Sequence, residues 1–195
     1  MKSKLVKTFY RLAYLWWSYW SKAYRLLYHF KYRNVELPSD LKLTEVQENL
    51  NKLRWSPDTW KELWDVCGSP KRVQHELNAM AAGKKWPYKQ MDCDDFAIWV
   101  ANTIDRNFYP RVYTFSWLSK DDQVQGHAMC LCRSDDGKIF HMGNWGTSRP
   151  YSNLREACED ILKTRKAKEA LCWGLFDKNL KLLECGSGLP SEKIS

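Results

Sequence analysis

The chain has 195 residues, with 31 Lys and Arg against 23 Asp and Glu and a formal charge of +8. That length suits one domain plus an appendage, and is enough to bury a single core without disulfide staples. Residues 1–34 hold eight cations and no acid, so the rest of the chain is neutral overall. The basic balance is therefore the property of an arm and not of a nucleic-acid-binding domain, and no specific nucleic-acid partner is expected.

The arm, residues 1–37, reads as an amphipathic helix. Lys4, Lys7, Arg11, Lys22 and Arg25, with Ser18 continuing the series, follow a three-four spacing. Leu5, Phe9, Leu12, Trp16, Tyr19, Ala23, Leu27 and Phe30 follow the same spacing one step round. A basic stripe beside a broad aromatic one suits a membrane surface. It equally suits docking on a partner protein or folding back over the main domain, and stacking on single-stranded nucleic acid is a further use. The apolar run Leu12 to Trp20 is too short to span a bilayer, and no small-residue cleavage site follows it. Seven cysteines, an odd number with no CxxC pair, fit a reducing, cytoplasmic setting, membrane-peripheral if the arm binds lipid.

Leu37-Pro-Ser-Asp40 marks a boundary, and the main domain is expected over 38–186. Its first half reads as helical: Thr44 to Leu53, then Ser56-Pro-Asp58 through Val66, then Ser69-Pro70 to about Ala82, closed by Gly83. Lys84 to Gln90 is a loop. Gln90 to Ile104 then carries apolar residues at 96, 97, 100, 101 and 104, one buried helical face, with Asp92, Asp94 and Asp95 at its start. Cys93 falls at this helix N-terminus, where free backbone amides and the dipole stabilise a thiolate. The neighbouring carboxylates act against it, so a nucleophilic Cys93 requires a cationic partner. The alternative is a small apolar residue buried at a helix start.

After Pro110 the period changes to that of strands: Arg111 to Leu118, His127 to Cys132 and Lys138 to Trp145. Ser134-Asp-Asp-Gly137 is a hairpin turn signal. A helix from Tyr151 to about Lys168 follows, then short strands at Ala170 to Phe176 and Leu180 to Glu184. A loose tail occupies 187–195. The fold class is α+β.

A Cys nucleophile takes a base, usually His, held by a third polar group. If the hairpin loop is Asp135-Asp136, His127 stands opposite Asn144. If it is Asp136-Gly137, His127 opposes Gly146 and Asn144 is its diagonal neighbour. Both registers put His127 and Asn144 on one face and His141 on the other; a three-residue loop with a bulge breaks that relation. Competing readings are a strand-end His127 and a turn residue Asn144. A zinc site from His127, Cys130, Cys132 and His141 lacks the spacing, and the acids near Cys93 lack the Gly and closing Glu of a calcium loop. No metal or other cofactor is expected.

These residues resemble the transglutaminase-like cysteine peptidases of bacteria and phages. The similar pieces are Trp60 to Pro70, Met91-Asp-Cys-Asp-Asp-Phe-Ala97, Gly126-His-Ala128 and His141-Met-Gly-Asn-Trp-Gly146, a coverage of about Leu43 to Tyr151. The resemblance implies a papain-like fold, the nucleophile helix packing on an antiparallel sheet. It implies thiol-dependent acyl transfer to or from a protein or peptide substrate, with Cys93 as nucleophile and His127 as base. The family's third position is commonly Asp; Asn144 stands there, shifted slightly along the strand, and papain-type sites use Asn. The oxyanion hole would use the Cys93 N–H with Gln90 or Trp86, and Trp145 is a further substrate-binding candidate. The DCSGF signature of NlpC-type peptidases is absent. A second class of function is an inactive structural or interaction module positioned by its arm.

Overall fold

The computed structural model describes residues 2–53, 69–83 and 91–191. Among these, five α-helices and a six-stranded antiparallel sheet form an α+β domain. The helix expected over 56–66, the loop 84–90, and with them Cys67, Trp86 and Gln90, lie outside the described residues.

The sheet runs β4-β3-β2-β1-β5-β6. Its strands are β1 (Arg111–Leu118), β2 (Val124–Arg133), β3 (Ile139–Gly143), β4 (Gly146–Thr147), β5 (Glu169–Phe176) and β6 (Leu182–Ser187). Strand alternation divides its side chains between two cores. On one face Val112, Ala128, Cys130, Cys132, Phe140, Met142 and Phe176 meet α4 (Cys93–Thr103). On the other, Tyr113, Phe115, Trp117, Met129, Ile139, Trp173 and Leu175 meet α5 (Leu154–Thr164).

Helix α4 starts at Asp92, whose side chain accepts the Asp95 N–H, an N-cap as the acids foretold. Every residue from Phe96 to Ala101 is buried, not one face only. The sheet covers one side, while α2 (Leu43–Lys52) and α3 (Pro70–Ala81) cover the other. A helix enclosed this way is apolar all round. Trp99 Nε1 donates to Gln74 Oε1 of α3 at 3.0 Å, satisfying the one polar atom of a wholly buried indole.

The arm is the 30-residue helix α1 (Lys2–Lys31), packed along β6 and the rim of the α4 core. Tyr14 and Trp17 lie against the Phe176 ring, at centroid distances of 5.7 and 4.9 Å. The Tyr14 hydroxyl donates to Cys172 Sγ, and Ser18 Oγ donates to the Leu180 carbonyl. Gly174 permits the approach: a Cβ there would lie 3.0 Å from the Tyr14 ring and 2.9 Å from Phe176. Folding back over the domain, one of the arrangements open in the sequence, is thus what α1 does along its inner side.

Several boundaries differ from the sequence reading: β2 spans Val124–Arg133, longer than the 127–132 expected, and β3 ends at Gly143, short of Trp145. Tyr151 pairs with Ile139 in a bridge and Asn153 caps α5, so that helix is shorter than 151–168. Gly186 and Ser187 belong to β6, where Gly186 faces Trp173; the sheet therefore runs past the point at which the sequence loses its strand-like composition.

Candidate active site

The β2–β3 hairpin decides which side chains meet. The ladder pairs Cys130 with Met142, Leu131 with His141, Cys132 with Phe140 and Arg133 with Ile139. Ser134 N–H donates to the Lys138 carbonyl and Gly137 N–H to the Ser134 carbonyl, with Gly137 at φ +79°. This is a three-residue loop, a turn followed by a left-handed glycine. It shifts the register by one residue from the two-residue loops expected. The relation inferred from those loops is therefore corrected: His127 shares its face with His141, and not with Asn144.

Asn144 is no strand residue either. Gly143 pairs with Gly146, and Asn144 and Trp145 are the two central residues of that tight turn, with Gly146 at φ +86°. The turn reading of Asn144 is the one observed. Its Oδ1 is buried with no hydrogen-bond partner. The hairpin is held from α2, where Gln47 accepts the Thr147 hydroxyl.

Cys93 is the first residue of α4, at the end that presents free amides and the positive pole. Of the six described cysteines it alone is not buried. Asp94 and Asp95 behind it are buried, and Arg72 lies 3.9 Å from Asp95. Cys130 and Cys132 are sealed in the α4 core with sulfurs 3.8 Å apart, where burial raises the Cys130 thiol pKa. Cys158, in contact with the Tyr113 hydroxyl, is pushed up to about 12 by burial. Among the described residues Cys93 is thus the cysteine whose thiol is most open to solvent.

His127 is buried on the α5 face, beneath Trp145. The two rings are stacked, with centroids 3.4 Å apart and planes 8° from parallel. The Arg165 guanidinium, at the C-terminus of α5, lies 3.9 Å from the same indole. Burial, then the charges of His141 and Arg165, push the His127 pKa down to about 3; the Asp92 carboxylate acts in the opposite direction. The imidazole is therefore neutral at pH 7. His141 stacks on Tyr151 at 6.0 Å, and burial holds its pKa at about 4 against the pull of Asp160. Tyr151 donates to Asp160 Oδ2 at 2.8 Å.

Because β3 turns away after Gly143, no strand among the described residues pairs with β2 on that side from Val124 to Met129. His127 sits on this open edge. Asp92, immediately before Cys93, is close enough for its charge to act on the imidazole, so the start of α4 and His127 lie at the same end of the sheet. The zinc alternative is divided by the sheet, with the two cysteines on one face and the two histidines on the other. Among the described residues no three metal-binding side chains converge.

Trp145 is placed against His127, Asn144 is not, and Gln90 and Trp86 lie outside the described residues. Arg165, Asp160 and Tyr151 were not singled out in the sequence. Nothing local marks them, since only the packing of α5 on the sheet brings them to the histidines.

No family model, no curated protein and no solved structure matches the chain.

Proposed function

We propose that the chain is a thiol-dependent acyl-transfer enzyme of papain-like architecture, acting on an amide of a protein or peptide. What supports the reading is that the start of α4 and His127 lie at the same end of the sheet, α4 packed on one face and His127 on the other, with Asp92 near enough for its charge to act on the imidazole. The one described cysteine that is not buried stands at a capped helix N-terminus, and a buried neutral imidazole feels the carboxylate one residue before it.

In this reading His127 takes the Cys93 thiol proton as the sulfur bonds to the carbonyl carbon. The helix N-terminus and the Cys93 amide stabilise the oxyanion. Collapse of the tetrahedral adduct breaks the C–N bond, and the imidazolium returns its proton to the departing amine. Water or a second amine then attacks the thioester, and the regenerated thiol leaves as the acyl group passes on. Because His127 rests unprotonated, it acts as a general base instead of forming a standing ion pair with a thiolate. Trp145, not Asn144, holds the ring in this arrangement.

The test is alkylation of the native chain with iodoacetamide against pH, read by peptide mass spectrometry. Exposure alone makes Cys93 the fastest of the described cysteines, so the deciding comparison is with His127→Ala. A fall of tenfold or more in the Cys93 rate near neutral pH supports the assignment; an unchanged rate overturns it.

The position of Asn144 in a turn favours a second reading, an interaction module whose site has lost its orienting group. Under that reading Cys93 reactivity follows exposure only, and His127 has no effect on it.

A further inference from the structure

We propose that the outer face of α1 is a docking surface for an anionic lipid membrane, the helix lying in the interface with the sheet domain held above it. Its orientation about its own axis is fixed. Tyr14, Trp17, Ser18 and Ser21 turn toward the domain, with Ser18 and Ser21 buried and Ser18 bonded to the Leu180 carbonyl. The opposite side cannot rotate inward without breaking that docking. It carries Phe9 (68% exposed), Leu12 (61%), Trp16 (53%), Tyr19 (65%), Leu26 (63%) and Phe30 (69%).

The concentration is what distinguishes this face from ordinary surface. Among the described residues, twelve large apolar side chains are exposed, and eight of them are on α1. From Phe9 to Phe30 they extend over about 30 Å at 1.5 Å per residue. A patch of that extent marks an interaction site and not scattered surface apolarity.

Charge selects the occupant. The first 34 residues hold eight cations and no acid, and Arg11 and Lys22 are exposed beside the aromatic stripe. A second copy of the chain seated here would bring two such arms together and repel. Anionic headgroups neutralise them, while indole and phenol rings are at home at the headgroup level. No helix among the described residues is long and apolar enough to cross a membrane, and a strongly sided helix of this type lies along the surface.

The experiment is co-sedimentation of the full chain with vesicles of phosphatidylcholine alone or mixed with phosphatidylglycerol, at low and high salt. Binding to the mixed vesicles, at least tenfold weaker on phosphatidylcholine and falling as salt rises, is the expected result. The variant Trp16→Glu/Tyr19→Glu, both positions facing outward and its fold checked by circular dichroism, is expected to lose binding. Arg11→Glu/Lys22→Glu is expected to lose about tenfold or more on mixed vesicles only. The proposal is overturned by absence of binding to mixed vesicles. Equal binding by the outward-face variant, or a dimer in sedimentation velocity that the same variant dissolves without any vesicle binding, overturns it as well. None of these readouts depends on Cys93 or His127.

Discussion

Trp145 lies flat on His127, ring centroids 3.4 Å apart, and the same indole carries the Arg165 guanidinium at 3.9 Å. A residue from a two-residue turn thus fixes the plane of a strand imidazole and removes it from water. Burial is the leading cause of the low His127 pKa, so Trp145→Ala is expected to raise it from about 3 toward the ordinary 6.5. Stability should fall by about 1–2 kcal/mol from the lost ring and cation contacts. A titration of the imidazole C–H resonances reads the first effect and denaturant unfolding the second. An unmoved pKa would show that the cover over His127 is not Trp145.

Two buried neutral histidines also set the acid limit of the fold. His127 and His141 have folded pKa values of about 3 and about 4, both below the ordinary 6.5. The unfolded chain therefore binds protons that the folded chain refuses, and stability rises with pH through this interval. It is complete above about pH 6.5 and is lost as pH falls toward 4 and then 3. Each histidine is expected to remove about 2–3 kcal/mol between pH 7 and about pH 4.5. Denaturant midpoints measured across that range should drop steeply in the wild type and less so in His141→Gln. An equal slope in the two proteins would refute the assignment of the acid limit to these rings.

The elements were largely legible and their mutual register was not. Strand β1 begins and ends where β-branched and aromatic residues cluster, and α3 and α4 begin at Pro70 and after the Asp92 cap, as their sequences announce. The hairpin failed on one residue. Asp136-Gly137 reads as a two-residue turn, yet Gly137 takes the left-handed position that closes a three-residue loop. One extra loop residue exchanges the two faces of β3 relative to β2, which separated Asn144 from His127 and joined His141 to it. In α1 the difficulty was of another kind. Its most apolar stripe, through Phe9, Trp16 and Phe30, is outermost, whereas the docked line includes Ser18 and Ser21, whose small side chains let the helix settle close to β6. Aromatic residues occur on both sides, so periodicity alone does not say which side finds the protein.

That asymmetry gives a paired prediction from adjacent residues. Trp17 packs on Phe176 at the rim of the α4 core, while Trp16 is 53% exposed. Trp17→Ala is expected to cost about 2–3 kcal/mol, less than a fully buried ring because Trp17 is only partly covered. Trp16→Ala should stay within about 0.5 kcal/mol. Guanidinium unfolding of the full chain separates them. Equal small effects would mean that α1 is not docked on β6 in solution.

Gly143 offers a constructive test of the site. It lies one step beyond the last β2–β3 ladder pair, on the face that holds His127 and His141. The nearest atoms a Cβ there would meet are the Ala128 carbonyl oxygen and Met129 Cα and Cβ, at 3.7 to 3.9 Å, which is ordinary contact. The side chain would stand diagonally across from His127, within reach of a polar group. Gly143→Asp is therefore expected to raise the His127 pKa by a unit or more, since a nearby carboxylate favours the imidazolium. Some stability would be lost to burying the new charge. If Cys93 and His127 act together, the shift should also increase the rate at which Cys93 is alkylated near neutral pH, because a more basic imidazole is a better proton acceptor. A raised pKa with an unchanged alkylation rate would separate the two residues chemically and leave the interaction-module reading in possession of the site.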